Sequence, residues 1–134
     1  MSLRALKQGI ITIFDDAGIK VRQSFDETFD IELNGVVVLQ VNDLKKIHND
    51  LNDYEIDMTI TCMTLKDEDL DNSKIDTLIS EVNAVASGLT ASVLKYQSGE
   101  KVIGIVHNGE TLKQDEGANV FEIAKTIYVC DLEI

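Results

Sequence analysis

Tyr54-Glu55-Ile56-Asp57-Met58-Thr59-Ile60-Thr61-Cys62 alternates apolar and polar residues without a break. A period of two belongs to a half-buried β-strand, because successive side chains of a pleated backbone point to opposite faces. Tyr54, Ile56, Met58, Ile60 and Cys62 make one greasy face, and Glu55, Asp57, Thr59 and Thr61 make a wet one. Upstream, Val36–Val41 is a second extended run. With 36–47 antiparallel to 54–65 around a turn near His48–Asp53, and opposed residue numbers summing to about 101, Val37, Leu39, Val41 and Ile47 join the greasy face. A competing reading folds 43–51 into a short helix, since Leu44, Ile47 and Leu51 stand three and four apart. Further upstream Phe29, Ile31 and Leu33 alternate with Asp30 and Glu32. Asn34-Gly35 then supplies two residues that tolerate positive φ, so a tight hairpin into Val36–Val41 is expected.

Two segments have the helical period instead. Leu3, Leu6, Ile10, Ile13, Phe14 and Ala17 paint one face of a helix, with Ser2 placed to cap its start and Gly18 to end it. Ser73–Ser87 is the second, striped by Ile75, Leu78, Ile79, Val82, Val85 and Ala86. Ser73 and Asp76 stand at capping-box spacing there, and Gly88 terminates. Beyond it, Ser92–Tyr96 and Lys101–His107 are expected strands around the turn signal Ser98-Gly99, with a further turn at Asn108-Gly109. Glu110–Asn119 is polar and contains Gly117, which suits a mobile loop or a long hairpin tip. Val120–Ile134 is rich in β-branched and aromatic residues, and its apolar centre places it inside the sheet.

The chain has 134 residues, enough for one domain spanning 1–134 with a sizeable core. Helices with one apolar stripe must bury it, and a mainly antiparallel sheet with one greasy face is the available partner. The expected fold is therefore an α+β two-layer sandwich with two helices packed on one face. Apolar runs such as Val36–Leu39 and Ile127–Cys130 are far short of a membrane-spanning helix. Met1-Ser2-Leu3-Arg4 leads into a stretch interrupted by charges and without a small-residue cleavage site, so no secretory leader is expected. Two cysteines, Cys62 and Cys130, make neither a disulfide framework nor a zinc pattern, which fits a reducing cytoplasm. With 12 basic against 24 acidic residues the formal charge is −12. Such a molecule repels phosphate backbones, so sequence-specific nucleic-acid binding is not expected. A solubility role, or a surface meant for a basic partner or for DNA that must pass without sticking, accounts for the charge.

Few stretches of the chain approach a catalytic or metal-binding motif. Asp67-Glu68-Asp69-Leu70-Asp71-Asn72 has carboxylates at alternate positions, as calcium loops do. Asn72 stands where that loop needs Gly, however, and Leu78 stands where it needs a bidentate Glu. A helix start explains the same acids through the dipole. His48 and His107 lack companions at metal-ligand spacing, and read as a turn residue and a strand-end residue. Cys62 and Cys130 lie on strand patterns, where a thiol behaves as a small hydrophobe. Neither a Gly-x-Ser-x-Gly elbow nor a phosphate-binding glycine loop occurs. No enzyme activity, metal or cofactor is expected.

The order of these segments resembles the tail terminator proteins of long-tailed bacteriophages, the family that includes minor tail protein U. The resemblance is carried by the N-terminal helix Leu3–Ala17, the strand Gly35–Val41, the long charged hairpin into Tyr54–Leu65 and the acidic loop Lys66–Asn72. The central helix Ser73–Ser87, two further strands and a closing strand ending in Tyr128-Val129-Cys130-Asp131-Leu132-Glu133-Ile134 complete it. It implies a non-enzymatic virion protein that forms a hexameric ring on the tail tube and joins tail to head. Its partners would be the tail tube protein and a head-completion protein. Its place would be the virion tail, and the host cytoplasm before assembly. The longest excursions from the expected core carry the candidate contacts with neighbouring subunits or tube: Leu44, Lys45, Lys46, His48 and Leu51 on one, Glu110, Lys113, Asp115 and Glu116 on the other. An alternative of a different class is an acidic monomeric binding module, an inhibitor or immunity-type protein that covers a basic partner.

Overall fold

The computed structural model describes residues 2–23, 35–115 and 117–133. Helix α1 (Leu3–Asp16) starts at Ser2, whose hydroxyl accepts from the Ala5 N–H at 3.3 Å, and gives way to Gly18 at φ +82°. A two-residue strand β1 (Val21–Arg22) follows. The long hairpin is β2 (Val36–Lys46) and β3 (Tyr54–Leu65). A single 3-10 turn (Lys66–Glu68) leads to α2 (Ser73–Ser87), then α3 (Ala91–Ser98), β4 (Lys101–Asp115) and β5 (Ala118–Cys130). The expected hairpin partner Phe29–Leu33 lies outside the described residues.

Among the described residues the sheet has five strands in the order β1-β2-β3-β5-β4, all pairs antiparallel except β1 with β2. Val37, Leu39, Ile56, Met58, Ile60, Cys62, Ile123 and Ile127 share one face of it. They form one cluster with Leu6, Ile10 and Phe14 of α1, Ile75, Val82 and Ala86 of α2, and Leu94 of α3. All three helices therefore cover the same side, and the fold is an α+β two-layer sandwich as the alternation requires. No single helix among the described residues is long and apolar enough to cross a membrane.

Several expectations are corrected. The third helix, α3, occupies the stretch expected to be the strand Ser92–Tyr96. Thr90 caps it through an N–H···O bond from Val93 at 3.3 Å, and Gly99, expected to be a hairpin turn, ends it at φ +71°. Between β2 and β3 the base pairs Val37 with Cys62, two positions away from the expected register. A bulge at Asn42 then shifts the pairing, so that Lys46 faces Tyr54 and Leu44, not Ile47, joins the greasy face opposite Ile56. Ile47 is left 41% exposed, and 43–51 is not helical. Asn108-Gly109 is not a turn but a second such bulge inside β4, which runs on to Asp115 and makes most of the expected loop into an edge strand. His107 accordingly sits in mid-strand rather than at a strand end.

The start of α2 is also different. Asn72 is left-handed at φ 62° and its side chain does not cap. Asp69 does so instead: its carboxylate accepts from the N–H groups of Lys74 at 2.8 Å and Ile75 at 3.0 Å, and from the Thr64 hydroxyl at 2.9 Å. Burial pushes the Asp69 pKa up, but these bonds, with one from the Asn119 amide, more than offset it and hold the carboxyl below its usual range. The acidic stretch that resembles a calcium loop thus spends its central carboxylate on a helix end.

Candidate functional site

The hairpin tips that carry most of the expected contact residues fall at opposite ends of the sheet, with Glu110 nearer its middle. β3 has 12 residues, so these ends lie roughly 36 Å apart at the rise of an extended strand. At one end Lys45, Lys46 and His48 are exposed, and Leu51 stands 53% exposed beside the turn closed by the Ile47 N–H to the Asp53 carbonyl at 2.9 Å. Leu44 is different, half-buried and packed on the core. The second set belongs to β4. Glu110 lies opposite Ile123, Lys113 opposite Val120, and Asp115 ends the strand opposite Ala118. Glu116 lies outside the described residues.

Among the described residues β4 is the outer strand of the sheet, with β5 as its hydrogen-bonded neighbour. Its outer backbone groups are a template for another strand. Bulges at Ile103 and Asn108 interrupt the first half, which blunts pairing there, whereas Gly109 to Asp115 runs in unbroken register with β5. Ile103, Val106 and Leu112 are exposed at 66%, 47% and 56%. Leu112 is the one that lies in the unbroken part. The Lys113–Glu122 ion pair at 3.8 Å is half-exposed and adds little stability.

Around Thr59 and Thr126 the face of the sheet away from the helices is polar, whereas toward its other end Val36, Val38 and Val120 lie on that face and are buried. Asn42 and Asn108, the residues at two bulges, donate through their amides to the hydroxyls of Thr59 and Thr126 on the adjoining strands. Thr126 in turn donates to Asp57 at 2.7 Å, so one chain of bonds crosses β4, β5 and β3. Glu55, Asp57 and Glu122 are half-buried there and give this face an acidic character.

On the helix side one residue departs from the apolar pattern. Phe121, Ile123, Ile127 and Val129 occupy alternate positions of β5, and Lys125 stands between them. It lies opposite Met58 on β3 and His107 on β4, only 8% exposed. Its Nζ is 3.5 Å from the His107 Nδ1, while His107 Nε2 is 3.5 Å from the Glu110 carboxylate. Desolvation lowers the Lys125 pKa and the Glu110 charge raises it, with burial dominant. Asn83 and Ser87 near the end of α2 close over these three, leaving a cavity of about 170 Å³ with Lys125 at its floor. No sequence motif announces this cluster; the signal was a cation at a position where alternation demands an apolar side chain.

Compared with models of known protein families and with curated proteins, the chain matches none.

Proposed function

We propose that the chain is a non-enzymatic structural protein of the phage tail terminator type, a subunit that closes into a hexameric ring at the end of a tail tube and joins tail to head. The observation that carries this reading is the open strand β4, whose unbroken stretch from Gly109 to Asp115 presents Leu112 to solvent. A ring needs a heterologous contact, in which one surface meets a different one on the next copy. β4 supplies the first surface through its backbone, and an exposed leucine adds apolar area without a partner of its own. The two hairpin tips at opposite ends of the sheet suit a connector with the tube protein on one side and a head-completion protein on the other. The N-terminal helix, the long hairpin and the central helix are the elements that carry the family resemblance, while helix α3 stands where that order has a strand. Before assembly the subunit would sit in the host cytoplasm, and afterwards in the virion tail.

At a formal charge of −12 per copy, neighbours repel, so ring formation should strengthen as salt screens them. Sedimentation velocity at low and high ionic strength, with negative-stain microscopy alone and on tail tubes, tests this. Rings or tube caps that Leu112→Asp abolishes are the expected result, and assembly that weakens with salt overturns it.

The acidic face around Glu55, Asp57 and Glu122 favours a second reading, a monomeric module covering a basic protein. That molecule would stay monomeric at every concentration and salt and form a tight one-to-one complex.

A further inference from the structure

We propose that the cavity over Lys125 is a binding site for a small monocarboxylate, held by the lysine ammonium with its alkyl end against Ile123 and Ala86. The inference stands apart from ring assembly and rests on four observations.

Lys125 is 8% exposed, and a lysine withdrawn that far loses hydration unless a counter-charge or hydrogen bonding replaces the water. Here the replacement is incomplete. Among the described residues the group near Nζ is the His107 ring nitrogen at 3.5 Å, a long contact for one of three donors. Glu110, the acid whose charge it feels, is turned to the other nitrogen of the same histidine. That contact uses one of the three ammonium donors, and an anion entering the cavity supplies oxygens that accept from the others.

The cavity is built for a ligand of that kind. Its volume of about 170 Å³ is several times what a single water needs. Asn83 and Ser87 line the helix side and offer an amide and a hydroxyl as neutral donors to the second oxygen. Ile123 and Ala86 are buried apolar walls that accept a short alkyl chain.

Charge selects the class. One ammonium forms the floor and one carboxylate, Glu110, stands on the rim, 41% exposed. A singly charged anion is matched by the lysine, whereas a phosphate dianion carries a second charge that meets Glu110 without a further cation. The acidity of the whole chain works in the same direction, since it disfavours multivalent anions most.

The test uses the full chain with isotopically labelled lysine in chloride-free buffer at pH 7. Acetate, butyrate and inorganic phosphate are titrated separately at fixed ionic strength, and the Lys125 side-chain resonance and the melting temperature are read. The expected result is a saturable shift of the Lys125 signal with both carboxylates, tighter for butyrate, a matching rise in melting temperature, and neither effect with phosphate. Lys125→Met, which keeps the length and apolar stem, should lose the melting response. Glu110→Gln lies on the exposed rim and does not depend on the core; it should tighten butyrate binding by up to about fivefold. A linear shift shared by all three anions, tighter binding of phosphate, or a Lys125→Met response equal to that of the unmodified chain overturns the proposal.

Discussion

Replacing Gly9 with alanine should destabilise the protein even though it improves the helix that contains it. In the interior of a helix alanine is favoured over glycine by about 1 kcal/mol. At Gly9 the added Cβ would lie 2.9 Å from the Ser98 Cβ and 3.1 Å from both the Ser98 Cα and N. Two of these atoms are backbone of α3, so no rotamer change relieves the clash. Ser98 is further tied by its hydroxyl, which donates to the Leu94 carbonyl at 2.6 Å and accepts from the Glu100 N–H at 3.1 Å. α1 and α3 must then move apart, and they carry Leu6, Ile10 and Leu94, each no more than 1% exposed. Overpacking of this kind costs about 1–3 kcal/mol, and rigid backbone on one side puts it near the upper end. The net expectation is a loss of about 2 kcal/mol, or about 6–10 °C in melting temperature for a chain of this size. Urea unfolding and calorimetry measure it. Gly88→Ala is the control: its φ is −86° and the nearest atom to a new Cβ is 3.5 Å away, so it should be neutral or gain up to about 1 kcal/mol. A Gly9→Ala protein as stable as the parent would show that α1 and α3 do not cross as closely as described.

Three more outcomes can be checked. Asp69→Ala should cost about 2–4 kcal/mol, because it strips two N–H groups of α2 of their acceptor and leaves Thr64 and Asn119 short of a partner. The folded-state pKa of Asp69 is depressed, so its contribution is present above the unfolded value and vanishes as pH falls through the folded one; unfolding titrations should show the gap between parent and variant closing below about pH 4, and a constant gap would contradict it. Burial pushes the Cys62 thiol up to about 12, and the side chain is 0% exposed, so a thiol reagent at pH 8 should modify half-buried Cys130 first and Cys62 only at the rate of unfolding; equal native-state rates would count against this packing. Leu51→Asp should change stability by no more than about 0.5 kcal/mol while weakening any self-association, and an unfolded variant would place Leu51 in the core.

The sheet and the two long helices were legible because each obeys a single period from end to end: Tyr54–Cys62 alternates, and Ser73–Ser87 keeps its stripe. What failed is what depends on a distant partner. Ser92–Tyr96 contains Val93 and Tyr96, whose β preference outweighed the short helix that Thr90 and Gly99 delimit. That helix is held by packing against α1, a contact between residues as distant as Gly9 and Ser98. The bulges at Asn42 and Asn108 are choices of the paired strands, made visible by their amide bonds to Thr59 and Thr126, and no local turn rule anticipates them. Asp69 displaced the nearer candidate Ser73 as cap because the 3-10 turn brings it back over the helix end, where Thr64 and Asn119 from two strands fix it. Lys125 breaks the alternation of its strand, but the cavity above it comes from Asn83 and Ser87, which are about forty residues away in sequence.

The strand order has a consequence during synthesis. β5 lies between β3 and β4, yet among the described strands it is made after both. Until residues 118–130 emerge, β3 has no neighbour on one side, and β4 has nothing to pair with. The nascent chain therefore carries one such edge, on β3, once residue 65 has emerged and a second, on β4, once residue 115 has, and the sheet closes when β5 follows. Stalling near residue 117 should yield an aggregation-prone intermediate, and release of one more hairpin arm should cure it.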